Sequence, residues 1–117
     1  MEMKEVMQQQ NFAVLGDTLN KEKYAYKIKN KMLEAGYRVY AVGKELESLN
    51  DISEKIDVID MCINPAKGLK LLRENKKDFK CIVIQPGAES EELIKWLDDN
   101  KLPYINGCLL AGLSMYG

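Results

Sequence analysis

Residues 12–43 read FAVLGDTLNKEKYAYKIKNKMLEAGYRVYAVG, and the pattern is strand, glycine turn, helix, strand. Phe12 to Leu15 is a short apolar run suited to a strand buried on both faces, and Gly16 ends it where the backbone turns without a Cβ in the way. From Lys23 onward, Ala25, Ile28, Met32 and Ala35 fall at spacings of three and four, giving a helix one apolar face, with Gly36 as its C-terminal stop. Tyr37 to Val42 reads as the second strand. A parallel βαβ unit of this kind leaves the first helix amides unpaired and pointing toward the C-terminal edge of the sheet, where an anion can satisfy them. Nucleotide or coenzyme binding is therefore the first functional expectation.

The same alternation continues along the chain. Lys44 to Glu54 carries Leu46, Leu49 and Ile52 on a turn-like segment and leads into a third strand, Asp57 to Ile63. Asn64-Pro65 starts a helix over Ala66 to Lys76 with Leu69 and Leu72 on its apolar stripe, since proline fits a first helical turn. Cys81 to Ile84 is the fourth strand, ended by Gln85-Pro86-Gly87, and Ser90 caps a helix whose first turn holds Glu91 and Glu92 near the positive dipole end. Pro103 to Ile105 is a short fifth strand. The expected fold is α/β: a three-layer α/β/α sandwich around a doubly wound five-stranded parallel sheet, Rossmann-like. Residues 1–117 form one domain, with 1–10 an N-terminal extension, frayed or docked, and 108–117 an apolar C-terminal segment that packs on the sheet or on a second subunit.

With 17 basic against 18 acidic residues, no global field favours nucleic acid or an anionic membrane. The apolar runs are too short to span a bilayer, and MEMKEVMQQQ has neither signal-peptide nor transit character, so a cytoplasmic protein is expected. Cys62, Cys81 and Cys108 are odd in number and widely spaced, which suits free thiols rather than a disulfide framework or a metal site. There is no histidine, which excludes imidazole bases, histidine metal ligands and phosphohistidine for this chain alone.

Small, polar or proline residues follow each of the first four strands: Gly16 to Asn20, Gly43-Lys44, Asn64-Pro65 and Gln85-Pro86-Gly87. These loops share one edge, where ligands of open α/β sheets bind at the reversal of strand order, expected here between the first and fourth strands. Gly16 alone lacks the further glycines of a dinucleotide fingerprint, so a plain tight turn is the alternative. Lys44 stands where an NAD-binding protein would place a ribose-binding carboxylate, and a cation there suits a phosphate on the ribose, as at the 3′ position of coenzyme A. A solvated surface lysine is the alternative, and neighbouring Glu45 keeps NAD open. Asp17 would repel a pyrophosphate unless its side chain turns away to cap the helix. Cys62 and Cys81 read as core, Trp96 and the helix tyrosines as packing, and Cys108 as a packing residue that could also exchange with a coenzyme thiol.

The series AVLGDT, KYAYKI, GYRVYAVGK, IDVIDMCINP, CIVIQPGAES and INGC, spanning about residues 11–108, resembles the small stand-alone CoA-binding family, similar to the CoA-binding domain of the succinyl-CoA synthetase alpha subunit. The resemblance implies coenzyme A over the sheet edge, with its phosphates near Gly16, Asp17, Thr18 and Asn20, its adenosine end near Gly43 and Lys44, and Asn64-Pro65 as another wall; Gln85 belongs to the most telling turn, QPGA. The family usually has a small residue and a serine where this chain has Asp17 and Thr18, and Asn-Pro where it has Gly43-Lys44. The ligase's phosphorylated histidine is missing. Non-catalytic binding of coenzyme A or an acyl-CoA is the expected function. The alternatives are a partner-dependent acyl-CoA ligase component and an NAD(P)-binding oxidoreductase or redox sensor, with a homodimeric scaffold as a third reading.

Overall fold

A computed structural model describes residues 1–117. The chain folds as α1 (Met3–Val6), β1 (Asn11–Gly16), α2 (Tyr24–Glu34), β2 (Arg38–Gly43), a 3₁₀ turn (Leu49–Asp51), β3 (Val58–Met61), α3 (Pro65–Glu74), β4 (Cys81–Ile84), α4 (Glu91–Asp99), β5 (Tyr104–Asn106) and α5 (Leu109–Tyr116). The five strands are all parallel in the order β2-β1-β3-β4-β5. Strand order therefore reverses between β1 and β3, and not between β1 and β4 as the sequence suggested. The reason is that β3 pairs directly with β1, Phe12 opposite Val58 and Leu15 opposite Met61, which leaves β4 one strand further out.

Every residue of β1, β3 and β4 is buried, as strands covered on both faces require. Alternation along β1 divides the core. Ala13 and Leu15 join Ile59, Met61, Leu69, Leu72, Leu93 and Leu97 beneath α3 and α4. Phe12 and Val14 join Ala25, Ile28, Met32 and Leu109 beneath α2 and α5. The helices α2 and α3 thus lie on opposite faces of the sheet.

Local chemistry sets the element ends. The side-chain carbonyl of Asn64 accepts from the amides of Ala66 and Lys67 (2.9 and 3.4 Å) with Pro65 in the first turn of α3, and Ser90 accepts from Leu93 to cap α4. The third strand is shorter than its apolar run: Asp57 turns its carboxylate back onto the amides of Gln10 and Asn11, and beyond Met61 a last ladder bond runs from the Cys62 amide to the Leu15 carbonyl at 2.9 Å. At four residues α1 cannot persist alone. It is docked rather than frayed: Val6 is fully buried, worth roughly 1.5–3 kcal/mol for a side chain of this size, and the Tyr37 hydroxyl donates to the Met7 carbonyl at 2.6 Å. The apolar C-terminus packs within the chain as α5, where Leu109 is buried and a Cβ on Gly112 would fall 2.7 Å from the sulfur of Met3. No helix is long and apolar enough to cross a membrane.

Candidate functional site

The C-terminal edge of the sheet holds a cleft of 780 Å³ over the ends of β1, β2, β3 and β4, within the range of about 300–1,000 Å³ usual for small-molecule sites. Its floor is glycine. Gly16 and Gly43 are register partners, and a Cβ on Gly43 would fall 2.9 Å from the Gly16 carbonyl oxygen. A Cβ on Gly16 would stand 2.7 Å from the Ala25 Cβ and closer still to the Cys62 carbonyl oxygen. Backbone from three neighbouring strands therefore approaches the cleft with no side chain between.

Of the nine residues expected at the site, Gly16, Asp17, Gly43, Lys44, Asn64 and Gln85 line the cleft. The other three do not. Thr18 is buried, and its hydroxyl donates to Glu45, whose carboxylate also binds Lys29 at 2.7 Å. Asn20 is exposed on the loop, where its side-chain oxygen accepts from Glu22. Pro65 is built into the first turn of α3. Asp17 stays in the lining with its carboxylate engaged by backbone: Oδ1 accepts from the amides of Leu19 and Asn20, so it caps the loop rather than the helix. Gln85 is buried, and its side-chain oxygen accepts from the Leu109 amide at 2.8 Å, tying β4 to the start of α5.

The lining also contains residues the sequence reading did not single out for the site: Lys23, Tyr24, Glu47, Cys62, Lys67 and Lys70. Tyr24 is 62% exposed at the N-terminus of α2, with the Lys27 ammonium 5.5 Å from its ring, and is no packing residue. Cys62 is half-buried on the cleft wall, whereas Cys81 is wholly buried as expected. A sequence signal existed for the lysines: Lys67 and Lys70 lie one turn apart on the face of α3 that Leu69 and Leu72 do not occupy.

The electrostatics point one way. Lys23, Lys44, Lys67 and Lys70 line the cleft against Asp17 and Glu47, and none of the four is in an ion pair. Elsewhere Lys29, Lys31, Lys55, Arg73, Lys80 and Lys95 have carboxylate partners, while Lys4, Lys21, Lys27, Arg38, Lys76, Lys77 and Lys101 stand unpaired outside the cleft, so it is the gathering of four cations on one concave surface that marks the site. The helices whose first turns face the cleft, α2 and α3, carry no acid there, while α4 has Glu91 and Glu92. Ammonium groups beside helix N-termini are an arrangement that an anion can satisfy. The hydrogen bonds from Lys29 and then Thr18 hold Glu45 below its ordinary pKa and turn it away from the cleft.

Under the floor, Asp60 on β3 is completely buried with neither carboxylate oxygen hydrogen-bonded, and burial raises its pKa well above the ordinary value. Burial pushes the Cys62 thiol up to about 12, so it is protonated and weakly nucleophilic at neutral pH.

The chain matches the family model described as a CoA binding domain over residues 10–114. Among solved structures, a conserved hypothetical protein from Pyrococcus furiosus is similar at 30% identity and a TM-score of 0.79, with 88% of this chain and 98% of that one covered. Prb, a protein redesigned for binding, shares the fold at 22% identity and a TM-score of 0.86, covering 97% of this chain and 89% of its own. A Thermus thermophilus protein does so at 22% identity and a TM-score of 0.81 over 100% of both chains. No curated protein matches. Carrying that family's model over almost its whole length, on a sheet whose glycine-floored edge opens beneath four unpaired lysines, the chain belongs to the CoA binding domain family.

Proposed function

We propose that the protein binds coenzyme A or an acyl-CoA in this cleft and performs no chemistry on it. The observation that carries the reading is the set of four unpaired lysines over a glycine floor, because coenzyme A brings a pyrophosphate and a 3′-phosphate together. Family membership supports the same ligand. The geometry favours it over NAD: Glu45, the carboxylate best placed by sequence for a ribose, is held by Lys29 and Thr18 outside the cleft. Glu47 does line the cleft, which is why NAD belongs in any ligand panel. The non-catalytic reading rests on the residues available. The chain has no histidine, Asp60 is sealed beneath the floor, and Cys62 is held protonated by burial. The three free thiols suit the reducing conditions of a cytoplasm.

The test is thermal unfolding with coenzyme A, dephospho-CoA, NAD, NADP and ATP in parallel. A ligand at a hundred times its dissociation constant stabilises by about 2.7 kcal/mol, which shifts the melting of a domain this size by several degrees. Coenzyme A should give the largest shift; no shift, or a larger one with NAD, overturns the assignment. The same preparation, given coenzyme A, short carboxylic acids and a nucleoside triphosphate, should form no thioester. Thioester that tracks the protein would overturn the non-catalytic reading.

A further inference from the structure

We infer that Lys67 and Lys70 of α3 hold the 3′-phosphate of the coenzyme together with Lys44, and so select the 3′-phosphorylated ligand. This rests on the coenzyme A reading and adds to it a place and a role for the α3 lysines. Both positions work against their own helix. Lys67 sits in the first turn, where the dipole end is positive and a cation is unfavourable, and Lys70 is a like charge three residues on. Neither has a carboxylate partner, although Arg73, one turn further, pairs with Glu92. A helix carrying such a pair with no compensating acid is stabilised when an anion arrives.

Placement identifies which anion. The helices α2 and α3 cover opposite faces of the sheet, so the cleft has two basic walls. Lys23 and the first amides of α2 stand on one side of Gly16. Lys67, Lys70 and Leu71 of α3 line the cleft from the other face, together with Gly43 at the end of β2 and Lys44 and Glu47 beyond it. A pyrophosphate over the Gly16 floor occupies the α2 wall. The second phosphate of the ligand then falls between β2 and α3, where Leu71 and Ile63 supply apolar surface for the base beside it.

The experiment is calorimetric titration of coenzyme A and dephospho-CoA into the unaltered chain and into the Lys67→Gln, Lys70→Gln double variant, with Lys31→Gln as a control at an exposed lysine of α2. Losing charge-assisted bonds to one phosphate, worth roughly 1.5–3 kcal/mol, weakens coenzyme A about tenfold or more while dephospho-CoA changes little. An unchanged affinity for coenzyme A, or an equal fall for both ligands, overturns the assignment and leaves the coenzyme A reading standing. Failure of the unaltered chain to bind coenzyme A overturns both.

Discussion

Asp60 is the residue whose chemistry departs furthest from its surroundings. A strand reading VIDM places a carboxyl where Val14 and Val83 are its neighbours, and no donor reaches it. Its native pKa lies well above the ordinary 3.8, so between those two values the folded chain holds a proton that the unfolded chain has lost. The sign follows: this group's contribution is fully present at acid pH and is lost as pH rises from about 4 toward the native pKa, by at most about 1.4 kcal/mol per pH unit. Asp57 and Glu45, both lowered, act in the opposite sense as pH falls through the carboxylate range. Denaturant unfolding followed upward from about pH 4 should therefore show a component of stability that declines with pH in the unaltered chain and is missing from Asp60→Asn. Identical slopes in the two proteins would mean Asp60 is ionised in the fold. At this scale the sequence was half legible. Gly16, Gly43 and Lys44 announce themselves by position, but which way Asp17, Thr18 and Glu45 turn is decided by hydrogen bonds that span the loops after β1 and β2.

Elements were more legible than residues, because apolar runs and caps are written locally. The capped helix starts at Asn64 and Ser90 and the stop at Gly36 all stand where the pattern put them. The exception was the C-terminal helix, whose run LLAGLSMY is apolar on nearly every side and so lacks the period that marks a helix; only its docking on α1 and α2 identifies its buried face. Strand order was also hidden, since no single strand encodes its neighbour. The start of α3 ties an element to the site, as Asn64 both caps the helix and lines the cleft. Replacing Asn64 with Ala should cost about 1 kcal/mol in urea unfolding by removing the acceptor for two orphan amides, with a lower affinity for coenzyme A as α3 frays beneath Lys67. Unchanged stability would mean that water satisfies those two amides as well as Asn64 does.

Across the whole molecule, charge is distributed so that the total conceals the site. Seventeen basic and eighteen acidic residues nearly cancel, yet Lys23, Lys44, Lys67 and Lys70 line one edge with no carboxylate partner, and the buried carboxylate Asp57 pins the opposite edge through Gln10, Asn11, Lys55 and Lys80. Composition could only exclude partners; topology, by setting β1 between β2 and β3, assembled the cleft. Titrating coenzyme A into isotope-labelled protein and following the backbone amide resonances tests ligand and location together. The expected result is saturable shifts at Gly16, Asp17, Gly43, Lys44, Asn64, Lys67 and Gly87, with Asn11, Asp57 and Cys81 at the far edge unmoved. Shifts clustered at that far edge, or none at coenzyme concentrations well above those in a cell, would contradict coenzyme A binding at the C-terminal edge of the sheet.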